Sequence, residues 1–203
     1  MQKVYVVPIL VCFMLAVILV SNILVQYPIF IFGLEDILTW AAFTYPIAFF
    51  ITDITNKIFG VQKARKIVYW GFFFAVILSI YLATPRIAIA SGTAFIISQL
   101  LDIYIFSRLN KYDWWKAPLI SSTIGSSIDT ILFFSLAFSI NFSLFGNIDN
   151  FAIEKVGIVS DTMYVSRWVL WAFGDFCVKL IVALILLAPF RMFYLKYNFL
   201  SER

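Results

Sequence analysis

The chain has 203 residues, 63% of them hydrophobic and only 13% charged, with a net charge of +4 and a mean hydropathy of +0.98. A soluble domain is about 45–50% apolar and about 25% charged, so eleven acids and fifteen bases cannot clothe this chain for water. The composition excludes an ordinary soluble enzyme, a disordered chain, a collagen-like fibre and a disulfide scaffold, and it leaves an integral membrane protein.

A helix needs about 20 apolar residues to cross the bilayer core. The first such run goes from Val4 to about Val25. It is too long for a signal-peptide core, and no small-x-small cleavage site follows it. The second runs from about Leu34 to Ile51 with Pro46 inside, and the third from Ile67 to Ala83. The fourth, Ile87 to Phe106, is less oily and carries Ala88, Ala90, Ser91, Gly92, Ala94, Ser98 and Gln99. The fifth runs from Pro118 to Ile140 and the sixth from about Tyr164 to Phe190. Barrel strands would be short and alternating, and these runs are neither. The expectation is an all-α, polytopic protein forming a single transmembrane domain over residues 1–203. Its spans lie at about 4–25, 34–51, 67–83, 87–106, 118–140 and 164–190.

Four connections are expected to be short: Gln26–Gly33, Asp53–Lys66, Thr84–Arg86 and Ser107–Ala117. The fifth, Asn141–Met163, is longer. Sorting the bases by connection puts Lys3, Lys57, Lys63, Arg65, Lys66, Arg108, Lys111, Lys116, Arg191, Lys196 and Arg203 on one side. Arg86 and Lys155 fall on the other, with Glu35, Asp36, Asp149, Glu154 and Asp161. The positive-inside rule then places both termini in the cytoplasm. The net charge reflects this orientation and calls for no nucleic-acid partner.

The chemistry open to the chain is narrow. It has no His, the usual metal ligand and near-neutral proton carrier. Cys12 and Cys177 both sit in apolar runs, and no CxxC occurs, so no metal or cofactor is expected. No phosphate-binding GxxxxGK[ST] loop is present. Without a nucleophile–base constellation, an enzyme is not expected.

Charges remain inside the spans. Arg167 and Lys179 fall in the sixth, and Asp53, Asp102, Asp129 and Asp175 fall within or at the ends of others. Each charge near the bilayer centre costs at least ~2.5–3.5 kcal/mol on insertion scales, so these groups need partners, water or a ligand. At about 1.5 Å per residue, Gln99, Asp129 and Asp175 lie at similar depth. Ser98, Gln99 and Asp102 share one side of the fourth helix. Ser122, Gly125, Ser126 and Asp129 form one stripe on the fifth, and Trp168, Trp171, Asp175 and Lys179 form one on the sixth. The fourth to sixth helices are therefore expected to converge on a polar pocket with aromatic walls.

Four stretches resemble the queuosine precursor transporter family, also known as vitamin-uptake-like transporters. They are Thr52–Val68 (T-D-x-x-N-x-x-x-G-x-x-x-A-R), Pro85–Leu109 with Ser98, Gln99 and Asp102, Trp114–Phe138 with Asp129, and the segment around Gly174, Asp175 and Lys179. Lys57 stands where many relatives would carry an acid. The resemblance implies a bacterial inner-membrane importer of 7-deazaguanines bearing a cyano or aminomethyl group. It also implies a bundle similar to the substrate-binding subunits of energy-coupling-factor transporters. A vitamin-binding subunit of such a system is the alternative, and a homo-oligomer or a coupling ATPase module is a possible partner. Against a deazaguanine, carboxylates accept from ring N–H and amino donors, and aromatic walls stack on the ring. The expected substrate contacts are Gln99, Asp102, Ser122, Ser126, Asp129, Trp171, Asp175 and Lys179, with Asp53 and Asn56 as a cytoplasmic gate.

Overall fold

The computed structural model describes residues 3–24, 27, 29, 38–82, 84–147, 149–157 and 164–201, with only the backbone described at 3–7, 22, 80 and 197–201. Six long helices occur among them: α1 (Lys3–Leu24), α2 (Ala41–Phe59), α3 (Val61–Leu82), α4 (Pro85–Leu109), α5 (Lys116–Phe138) and α7 (Arg167–Ser201). Between α5 and α7 lie a 3-10 turn (Ile140–Phe145), the one-turn helix α6 (Asn150–Ile153) and a hairpin of β1 (Lys155–Gly157) and β2 (Tyr164–Ser166). The strands are antiparallel, with Val156 opposite Val165. Several expected features lie outside the described residues: Glu35, Asp36, Asp161 and Arg203, the helix bounds Val25, Leu34 and Ala83, and the connection bounds Gln26, Gly33 and Met163.

Among the described residues, Pro85–Leu109, Lys116–Phe138 and Arg167–Lys196 are long and apolar enough to cross a membrane. Large apolar side chains cover the outside, including Phe13, Trp70, Phe73, Phe173, Ile185 and Met192. Water would not tolerate a surface of that kind, since soluble monomers rarely show contiguous apolar patches beyond a few hundred Å². Lipid accepts it.

The second helix departs most from the sequence expectation. The polar residues crowded between Asp53 and Lys66 suggest a connection. Instead α2 runs on to Phe59, and α3 starts at Val61. The hydroxyls of Thr52 and Thr55 donate back to helix carbonyls, Thr52 to Phe49 (2.8 Å) and Thr55 to Ile51 (2.7 Å). The Asn56 amide donates to the Ile103 carbonyl on α4 at 3.0 Å. Polar side chains satisfied in this way do not break a helix. The break comes at Gly60, whose φ of +81° suits a residue without Cβ. The N-terminus of α4 is set by Thr84, whose Oγ1 accepts from the Ile87 N–H, with Pro85 in the first turn.

Helix α2 is the centre of the bundle. It packs against α1, α3, α4, α5 and α7, while α3–α4, α4–α5 and α5–α7 are neighbours around it. Its buried side includes Ala41, Ala42, Ala48 and the polar run Thr52, Asp53, Thr55 and Asn56. The α4–α5 contact is the most extensive, and small residues on α5 permit it. A Cβ on Gly125 would stand 2.8 Å from the Phe49 ring on α2 and 3.3 Å from Asp102 Cβ on α4.

That close approach predicts a cost. Overpacking a filled core costs about 1–3 kcal/mol, so Gly125→Ala is expected to lower the melting temperature of the detergent-purified protein. An unchanged melting temperature would contradict the three-helix contact.

Candidate substrate cavity

A cavity of about 250 Å³ lies inside one end of the bundle. All six long helices line it, contributing among others Ser21, Tyr45, Ser79, Ser91, Phe133 and Lys179. It reaches the end of the bundle at Leu82 and Thr84. This is the end opposite Lys57, Lys63, Arg65, Lys66, Arg108, Lys111 and Lys116, which cluster where α2 meets α3 and α4 meets α5.

Its floor holds the charges. Lys179 Nζ on α7 lies 2.8 Å from Asp129 Oδ2 on α5 and 2.5 Å from Asp175 Oδ2 one turn back. The Thr130 hydroxyl ties the group further: it donates to Asp175 Oδ2 at 2.9 Å and accepts from Lys179 at 3.2 Å. Ser98 on α4 donates to Asp129 Oδ1 at 3.2 Å. Lys179 and Asp129 are 4% exposed. The ammonium also sits 5.6 Å from the centre of the Tyr45 ring. One cation thus meets two carboxylates, and an aromatic face stands beside them. Such a floor offers acceptors for N–H donors and an ammonium donor for a carbonyl oxygen.

A second polar cluster lies deeper, towards the basic end. Asp53 accepts from Ser121 (3.4 Å) and Ser122 (3.2 Å). The Thr52 hydroxyl oxygen also lies 3.0 Å from Gln99 Oε1. Asp102 is fully buried beside Asp53, Ser121 and Thr52, yet neither of its oxygens completes a hydrogen bond, and Gln99 Nε2 is likewise without a partner. Below this cluster Ile54, Phe106, Ala117 and Phe190 pack into an apolar plug.

The structure therefore divides the expected residues. Asp129, Asp175 and Lys179 line the cavity. Gln99 and Asp102 belong to the deeper cluster, and Ser122 and Ser126 line a small void there. Asp53 and Asn56 stand on α2 at this deeper level, with Lys57 turned away to Asn110 Oδ1 (2.8 Å). Trp171 is half-buried against the rings of Phe138 (5.5 Å) and Phe151 (6.1 Å), where the α5–α7 connection docks. Arg167 opens α7 and pairs with Glu154 at 2.8 Å, so it sits at a helix end.

Tyr45, Thr130 and Phe133 were not among the expected residues. Tyr45 carried a faint signal, a hydroxyl-bearing ring beside Pro46 inside an apolar run. Thr130 directly follows Asp129 and so lies off its helical stripe, yet the Lys179 ammonium reaches both.

Comparison with known proteins agrees with the sequence motifs. A family model described as "Putative vitamin uptake transporter" matches residues 39–84 and 78–194. A "Queuosine precursor transporter" of Escherichia coli is 31% identical, over 94% of this chain and 86% of its own. A "Probable queuosine precursor transporter" of Haemophilus influenzae is 34% identical, over 74% of this chain and 66% of its own. A Bacillus subtilis protein with that same description is 28% identical, over 58% and 63%. No solved structure matches.

The floor geometry predicts a coupled stability effect. Removing one partner of a buried ion pair costs about 3–5 kcal/mol, so Lys179→Met is expected to melt well below wild type in detergent. Adding Asp129→Asn removes one of the stranded carboxylates and is expected to recover part of the loss. A double variant no more stable than Lys179→Met would contradict the pairing.

Proposed function

The chain belongs to the vitamin-uptake-like family that includes the queuosine precursor transporters, and on that premise we propose that it imports queuosine precursors across the bacterial inner membrane. The substrates are planar 7-deazaguanines carrying a cyano or aminomethyl group. The six long helices are the membrane spans. The basic end, with both termini, faces the cytoplasm, as the positive-inside rule requires. The cavity then faces outward, ready to receive substrate.

The observation that carries this reading is the Asp129–Lys179–Asp175 group at the floor of a cavity lined by aromatic rings. Drug-sized ligands occupy pockets of about 300–1,000 Å³. A cavity of about 250 Å³ suits a small bicyclic guest better than a larger vitamin. Tyr45, Phe133 and Phe134 line it and offer faces or edges to a flat ring. The Asp129 and Asp175 carboxylates accept from ring N–H and amino groups, and the Lys179 ammonium donates to the ring carbonyl oxygen. A cationic aminomethyl group adds attraction to the carboxylates. Gln99, Asp102, Ser122 and Ser126 lie on the inward route beyond this floor, and Asp53 and Asn56 form the inner closure with the Phe106–Phe190 plug. Trp171 acts at the outer rim, holding the α5–α7 connection.

Two measurements test the reading. Uptake of labelled precursor in cells is expected to fall at least about tenfold for Asp129→Asn and for Lys179→Met, compared at equal membrane abundance; a tenfold loss corresponds to about 1.4 kcal/mol. Wild-type rates in both variants would remove the assigned site. Purified wild-type protein is expected to gain about 2.7 kcal/mol of stability at a hundredfold excess of 7-cyano-7-deazaguanine over its dissociation constant. Equal stabilisation by unrelated vitamins would point to a different cargo.

A further inference from the structure

The deeper cluster is built for a guest much smaller than a deazaguanine. Asp53 from α2 and Asp102 from α4 are 2% and 0% exposed, and they are mutual neighbours. Two carboxyl groups have only acceptor oxygens until a proton or a cation comes between them. Asp53 receives the hydroxyls of Ser121 and Ser122, whereas both oxygens of Asp102 are buried with nothing completing a bond to them. A void of about 10 Å³ adjoins Asp53, Ser122 and Ser126, and about 10–15 Å³ is the space that one water molecule needs.

Among the described residues, no side-chain cation serves this pair. Lys179, nearer the cavity, is held by Asp129 and Asp175, with Tyr45 beside it. Lys57, towards the basic end, is held by Asn110 and stands 4.7 Å from the centre of the Tyr194 ring. On α7, the residues facing the void are the apolar Ala183, Leu186, Leu187 and Phe190. On α3, the buried residues Ala64, Ile67 and Val68 bring no charge. On α5, Ser121 and Ser122 bring hydroxyls only. The four acids Asp53, Asp102, Asp129 and Asp175 thus share one base, Lys179; the other buried base among the described residues, Arg86, lies at the far end of α4, held by the carbonyls of Leu136, Ser139 and Asn147. An excess of buried negative charge in a membrane calls for a mobile positive one.

We propose that the Asp53–Asp102 pair is a binding site for one small monovalent cation, a proton or a sodium ion, whose entry with the substrate drives accumulation. Thr52, Ser121 and Ser122 supply the surrounding oxygens. The site stands on all three helices that meet at Gly125, so occupying it changes the packing directly beneath the substrate floor. This inference rests on the transporter reading above and adds the energy source to it.

The test uses wild-type protein in liposomes, with the membrane potential clamped at zero and 7-cyano-7-deazaguanine as cargo. Inward gradients of about tenfold are imposed for protons and, separately, for sodium. One-for-one coupling is expected to accumulate cargo up to about tenfold over its equilibrium level with one of the two gradients, and that gradient identifies the ion. Asp102→Asn is expected to abolish accumulation with either gradient, while 7-cyano-7-deazaguanine still raises the melting temperature of the purified variant. Asp53→Asn provides a second variant should the first not fold. If wild-type liposomes equilibrate cargo but neither gradient concentrates it, the cation site is overturned and the transporter reading stands. The cation site is overturned in the same way if Asp102→Asn and Asp53→Asn both keep full accumulation. If wild-type protein neither binds nor equilibrates cargo, the transporter reading falls and the cation site falls with it.

Discussion

A buried cation shared between two carboxylates on different helices is the constraint from which the rest of this molecule follows. Lys179 and Asp175 come from α7 and Asp129 from α5. In lipid none of them can be left alone, because the surroundings offer no water to solvate a charge. Their meeting fixes the rotation of α7 against α5 and the depth at which the two cross. Thr130 and Ser98 tighten the arrangement and bring α4 into it. The cavity is the space left above this fixed point.

The second constraint is the small-residue contact at Gly125, where α2, α4 and α5 approach too closely for a side chain. It lets a helix carrying Thr52, Asp53 and Asn56 stand at the centre of an apolar bundle. The Thr52 and Thr55 hydroxyls and the Asn56 amide are each satisfied there by a helix carbonyl or a neighbour, which keeps the helix continuous through what reads as a polar segment. The bundle therefore has two polar levels on one axis. The upper one adjoins a cavity of ligand size, the lower one a void of water size.

Much of this was legible in the residues. Runs of apolar residues marked where six long helices lie, three of them long and apolar enough to cross a membrane among the described residues. The stripes on α4, α5 and α7 identified the buried polar faces, since three-and-four spacing fixes which side chains share a side. Pairing between helices was not legible. Nothing in sequence spacing says that Lys179 reaches from α7 to Asp129, or that Asp102 meets Asp53 rather than the cavity. The end of α2 was misjudged for a related reason. A run such as TDITN looks like a connection until a partner carbonyl, that of Ile103, is available to Asn56. Tyr45 escaped notice because its ring and hydroxyl, between Thr44 and Pro46, form no periodic polar stripe.

The most direct check on the central claim is accessibility of the cavity wall. Ser91 lines the cavity between its mouth and its floor. A Ser91→Cys variant lacking Cys12 and Cys177 would be treated with a membrane-impermeant thiol reagent from the outer face. Cys at this position is expected to be modified in the absence of guest and protected by 7-cyano-7-deazaguanine. Modification that proceeds equally fast with saturating guest, in protein that still takes the guest up, would contradict that claim.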